Sequence, residues 1–168
     1  ACLIGCHHVD NLIIENCTFR HASSCLYLGH ATNALISNNV FISTKTSDDT
    51  SYAAIAFYAI DSNGTSSNYP LTVKSAFSGA KLYSYNVTIQ GNTFETTSGY
   101  GIMDYTNTGS GEEMTVEHIN ISNNNFYKCR NCICINAMSQ VTIGNNTAER
   151  CVNFLFLNNG STVKCKNI

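Results

Sequence analysis

Two aspartates close apolar runs: Asp61 ends AIAFYAID and Asp104 ends YGIMD. Two carboxyl groups held about 5 Å apart make the pair of a retaining glycosidase, one as acid–base and one as nucleophile. A closer or more buried pair splits its pKa values and supplies one acid and one base. Asp61 and Asp104 are therefore the candidate catalytic residues, provided the fold stacks them. Around them lie the candidate substrate-binding residues: Tyr27 and His30 in LYLGH, Asp48 and Asp49 in STKTSDDTSY, and Tyr105, Glu112 and Glu113 in DYTNTGSGEEMTVE. The competing reading is that a strand-end aspartate is an ordinary turn residue and that loop acids are simply solvated.

Nine cysteines form a second set with chemistry. The run Cys129-x2-Cys132-x-Cys134 invites a metal reading, with His118 or the Cys6-His7-His8 cluster as further ligands. A zinc site usually takes two such pairs at knuckle spacing, and these groups stand at opposite ends of the chain. The expectation is disulfides or buried thiols, with no metal and no other cofactor.

Composition narrows the partners. Charged residues make up 12% of the 168 residues, and the formal net charge is −2, so nothing provides the basic footprint of a nucleic-acid binder. No apolar run is long enough to span a membrane. The cysteine count points to an oxidising compartment. N-x-[ST] sequons at Asn16, Asn63, Asn86, Asn120, Asn145 and Asn159 add weak support for an extracellular or cell-surface setting.

What must position these side chains is an internal repeat. NLIIENCTF (11–19), NALISNNVF (33–41), NVTIQGNTF (86–94), HINISNNNF (118–126) and QVTIGNNTA (140–148) align without gaps. Their second and fourth residues are apolar, the period of a strand with one buried face. The ninth is phenylalanine in four copies and Ala148 in the last, marking a second inward strand. A third apolar pair follows as Leu26/Leu28, Ile133/Ile135 and Leu155/Leu157. The sixth position holds Asn16, Asn38, Gly91, Asn123 and Asn145; asparagine and glycine alternating at one site indicate a left-handed backbone. The seventh holds Cys17, Asn39, Asn92, Asn124 and Asn146. With coils about 4.8 Å apart, those amides can bond to one another up a ladder.

Three short strands and an asparagine turn in a unit of about 22 residues resemble the right-handed parallel β-helix of the pectin lyase-like superfamily, from about residue 2 to 166. The resemblance implies an all-β solenoid with an Asn ladder at one turn and loop insertions near 43–52, 61–85 and 104–117. It also implies sites along the outer face of the third strand, walled by those loops, and polysaccharide or glycan as the ligand. If catalytic, such a chain would be a glycoside hydrolase or polysaccharide lyase. The family motifs themselves are missing: SDDT at 47–50 only echoes the G-D-D core of polygalacturonase-like enzymes, and Arg20, Arg130 and Arg150 precede the third strand. No family catalytic residue is carried over.

The same register places Cys129 beside Cys151, at a spacing a disulfide accepts, and Cys2 beside Cys25. Cys132 and Cys134 are expected together on the outward face. The outward side of the third strand reads as Tyr27, Cys134, Phe154 and Phe156, suited to sugar stacking or to burial under a loop or a neighbouring subunit. Residues 1–168 are expected to form a single β-helix domain, a segment of a longer solenoid. The first functional expectation is an extracellular carbohydrate-active protein. The second is a non-catalytic structural solenoid, an adhesin, tailspike or filament subunit, that self-associates through its outer face.

Overall fold

The computed structural model describes residues 3–6, 9–21, 24–44, 53–57, 84–95, 99–104, 116–136 and 138–157. The first coil comprises β1 (Ile4–Cys6), β2 (Val9–Asp10), β3 (Ile13–Glu15) and β4 (Thr18–His21). The second contains β5 (Leu26–Leu28), β6 (Ala31–Ser37) and β7 (Val40–Ser43), and the third β8 (Ala53–Phe57), β9 (Tyr85–Gln90) and β10 (Thr93–Glu95). The fourth is β11 (Tyr100–Asp104), β12 (Val116–Ser122) and β13 (Asn125–Tyr127). The fifth is β14 (Asn131–Ile135), β15 (Met138–Gly144) and β16 (Thr147–Glu149), followed by β17 (Asn153–Leu157).

Each coil contributes one run to each of three parallel sheets. Sheet A stacks β1-β5-β8-β11-β14-β17, sheet B β2/β3 to β15, and sheet C β4-β7-β10-β13-β16. This is the right-handed parallel β-helix expected from the repeat. The inserted stretches fall between sheets, so every coil resumes register after them. Of the expected insertions, Ser43, Tyr85, Asp104, Val116 and Glu117 belong to strands; 45–52, 58–83 and 105–115 lie outside the described residues.

The corner between sheets B and C explains the asparagines. Asn16, Asn38, Asn123 and Asn145 have φ of 54–57° and Gly91 has 65°, a left-handed step that turns the chain within two residues. The next position builds the ladder. Asn39, Asn92 and Asn124 each donate from Nδ2 and from the backbone N–H to Oδ1 of the asparagine in the following coil, at 2.9–3.1 Å. Each Nδ2 also donates to a main-chain carbonyl, as Asn92 does to Ile36 at 2.9 Å. Buried amides are thereby satisfied by their own repeat, which is what makes their burial affordable. Cys17 ends the ladder: its N–H donates to Asn39 Oδ1 at 3.0 Å, and its side chain has no amide to continue.

Inside, Phe19, Phe41, Phe94 and Phe126 stack face to face at 4.8–5.1 Å. Against them lie the rows Ala34–Val87–Ile119–Val141 and Ile14–Ile36–Ile89–Ile121–Ile143 of sheet B. The row Ile4–Leu26–Ile55–Ile102–Ile133–Leu155 of sheet A closes the core.

A second left-handed column accompanies the first. Asn11, Asn33, Asn86, His118 and Gln140, the first residue of every repeat, have φ of 51–57°. They bend each sheet B strand near its start. Three asparagines at that position carry the same left-handed signal as the sixth position.

Candidate functional site

The outer face of sheet A was the expected site. Its central row is Gly5, Tyr27, Ala56, Met103, Cys134 and Phe156. Ala56 and Cys134 are buried, Tyr27 and Met103 half-buried, and Phe156 exposed. Two residues assigned outward by simple alternation turn in at the corner where sheet C passes into sheet A. Cys132 joins the core, and Phe154 sets its ring edge-on to Phe126 at 6.4 Å. The chain is still bending there, so strict period-2 alternation starts only after Cys132.

Asp104 is 0% exposed. It occupies the last position of β11, opposite Phe57, in the strand's inward-facing register. Its Oδ2 accepts the N–H of Asn136 at 3.2 Å, and the Asn136 amide donates back to the Asp104 carbonyl oxygen. The carboxylate thus anchors the chain where β14 leaves sheet A. The Cα partner of Asp104 in the neighbouring coil is Phe57. Asp61, Asp48, Asp49, Tyr105, Glu112, Glu113 and Cys2 lie outside the described residues. His30 is half-buried at the turn into β6, where its carbonyl accepts the N–H of Val9 at 3.0 Å.

No disulfide joins Cys129 to Cys151, and the expected partner of Cys25, Cys2, lies outside the described residues. Cys129 and Cys151 do stack as the repeat requires, but each thiol donates to main-chain carbonyls, Cys129 to Phe94 at 3.6 Å and Cys151 to Phe126 at 3.5 Å. Cys132 completes a cluster in which the three Sγ atoms lie within 4.8 Å of one another. Hydrogen bonding to Cys129 and burial push the Cys132 thiol well up, and burial raises Cys151.

The open polar surface belongs to sheet B. One row across it runs Asp10, Thr32, Tyr85, Glu117 and the buried Ser139; the next runs from the apolar Ile13 and Leu35 to Thr88, Asn120 and Thr142. The left-handed column brings Asn33, Asn86, His118 and Gln140 to the same face, all exposed. Tyr85 is 39% exposed and its ring meets the His118 ring edge-on, centroids 4.8 Å apart. That contact limits its rotation and leaves a phenol face to solvent. Asp10 accepts hydrogen bonds from the Thr32 hydroxyl at 2.7 Å and the Asn33 amide at 2.9 Å. These bonds, Thr32 first, hold its carboxyl below the usual range. Asn86 donates to Asn33 Oδ1 at 2.7 Å, continuing the amide row between coils.

Such a face sets one aromatic ring among hydroxyl and amide groups, with carboxylates at Asp10 and Glu117. It suits a ligand that is apolar on one side and rich in hydroxyls around its rim. Tyr85 and Asp10 stand off the third strand, where the resemblance places sites; the signal for them in the sequence is the polar outward half of each repeat.

No curated protein and no solved structure compared with the chain matches it. Residues 2–167 match the family described as the right-handed beta helix region, in accord with the three parallel sheets and the coil register. The chain belongs to the right-handed β-helix family.

Proposed function

We propose that this β-helix is an extracellular module that binds an extended polysaccharide along the outer face of sheet B. The observation that carries the reading is Tyr85, an exposed ring braced by His118 within a field of hydroxyl, amide and carboxylate groups. A pyranose can lay its C–H face on such a ring while its hydroxyls exchange water for Thr32, Glu117 and Asn120. Because the rows continue from coil to coil, successive sugars of one chain would each meet polar side chains on either side of Tyr85. The exposed sequon residues Asn16 and Asn145 support an extracellular setting. Burial of Asp104 supports binding without cleavage, since its carboxylate is committed to Asn136.

The test is affinity electrophoresis of the purified chain through gels containing a panel of plant, fungal and bacterial polysaccharides. At least one should retard the wild type, and Tyr85→Ala should weaken that retardation by roughly 10-fold, the range of one aromatic contact. Tyr27→Ala on sheet A should leave it unchanged. Equal retardation of wild type and Tyr85→Ala, or no retardation on any gel, sinks the proposal.

A second reading, self-association, is favoured by the exposed apolar side chains Val152, Phe156 and Leu157 on and beside β17, an edge of sheet A among the described strands. Light scattering over a concentration series distinguishes it, since glycan binding alone predicts a constant mass.

A further inference from the structure

The cluster of Cys129, Cys132 and Cys151 has no part in the glycan reading, and the fold brings it together from two coils. Cys129 and Cys151 are equivalent positions in consecutive coils, stacked at the turn between sheets C and A. Cys132, the second residue of β14, reaches the same point because the chain is still bending at the start of the strand. The three sulfurs lie within 4.8 Å of one another, two of them buried and Cys151 half-buried. The linear run Cys129-x2-Cys132-x-Cys134 has its further candidate ligands at the far end of the chain, and the third thiol that meets Cys129 and Cys132 is Cys151. In three dimensions they form a three-thiol pocket.

We propose that Cys129, Cys132 and Cys151 bind one thiophilic d10 metal ion, of the Zn2+ or Cu+ class, as a tris-thiolate site. Thiolate sulfur selects these soft and borderline ions over Mg2+ or Ca2+. Zn–S bonds of about 2.3 Å in tetrahedral array place sulfurs about 3.8 Å apart, so the thiols need close by only about 1 Å, within reach of side-chain rotation. The half-exposed side of Cys151 gives the ion its entry and leaves a fourth position for water. Binding replaces three S–H bonds by three metal–sulfur bonds and releases the protons to solvent; no electron is transferred.

The electrostatics of the turn favour this chemistry. A divalent ion with three thiolates carries a net negative charge, and the two turns that hold the thiols also hold Lys128, Arg130 and Arg150. Glu95 and Glu149 oppose them, pairing with Lys128 at 3.9 Å and Arg150 at 3.6 Å. Arg130 is exposed, on the residue following Cys129. Without metal, the raised affinity of Cys132 and Cys151 for their protons argues against a peroxide-reactive thiolate. A metal overcomes that preference because a coordinating thiol is deprotonated outright.

The experiment uses the full chain, reduced and handled anaerobically, with Cys17→Ser to remove the exposed thiol of the first coil. Zn2+ is titrated against a chromophoric chelator, and Co2+ is added separately to read sulfur-to-cobalt charge transfer. The expected result is one tight ion per chain, proton release on binding, a thiolate charge-transfer band, and a rise in the unfolding midpoint with Zn2+. Cys132→Ala and Cys151→Ala should each weaken binding by roughly 100-fold or more. Cys134→Ala, on the opposite side of β14, should not. If Cys132→Ala fails to fold, the half-exposed Cys151→Ala decides alone. Absence of stoichiometric Zn2+ binding by the reduced parent, or unchanged affinity in Cys151→Ala, overturns the proposal.

Discussion

The side-chain amide of Asn39 donates to Oδ1 of Asn92 at 3.1 Å although 53 residues separate them. Asn92 in turn donates to Asn124 at 3.0 Å, 32 residues further on. The ladder keeps one geometry while the intervening chain changes length, so it acts as the register pin of the solenoid.

Asn92→Ala should therefore be costly. It orphans the buried N–H of Asn39 and the carbonyl of Ile36, each worth roughly 1–3 kcal/mol when left unpaired. A loss of about 2–4 kcal/mol is expected in chemical denaturation. A midpoint equal to the wild type would mean that the ladder contributes nothing to stability.

The two glycines at 101 and 144 should respond oppositely to alanine. A Cβ on Gly101 would meet the Phe126 ring at 2.7 Å and the Cys132 carbonyl at 2.8 Å, whereas at Gly144 nothing lies within 4 Å. Gly101→Ala should destabilise by about 1–3 kcal/mol through overpacking. Gly144→Ala should be neutral or stabilise by up to about 1 kcal/mol, because it loses less backbone entropy on folding. Parallel thermal melts of the two variants check the contrast.

Gln140 holds a left-handed φ of 54°. Such a conformation costs roughly 1–2 kcal/mol in a residue with a Cβ. Gln140→Gly should recover up to about 1 kcal/mol after the entropic loss of glycine in the unfolded chain. Gln140→Val should lose a similar amount or more. Urea midpoints that rank valine above glycine would contradict the assigned backbone.

Asp10 provides the pH test. Its folded pKa is depressed below 3.8 by bonds from Thr32 and Asn33. The sign follows: its contribution to stability is present above the unfolded value and fades as pH falls through the lower folded value. Because the group is exposed, the effect on stability is small. Carboxyl NMR titration reads it directly, and Thr32→Val should move the Asp10 pKa upward. An unmoved titration would show that the Thr32 bond does not persist in solution.

Much of the architecture was legible because its causes are local. Asparagine at the sixth position takes a left-handed turn wherever it stands, and alternating isoleucines make a one-sided strand. The recurring phenylalanine stacks simply because the unit repeats. From these residues alone come three strands per coil, the Asn ladder and the aromatic column.

What faces what on sheet A was decided by tertiary structure. There the chain carries apolar residues on both faces, as in AIAFYAID and YGIMD, so period alone does not say which residue points in. Stretches of unequal length separate these strands along the chain, and only inter-coil pairing sets Asp104 opposite Phe57. The same applies to the thiols: spacing predicted the stacking of Cys129 and Cys151, but the corner that turns Cys132 toward them exists only in three dimensions. Backbone turns are written residue by residue, whereas the meeting of side chains depends on how the coils register, and that register is a property of the stack.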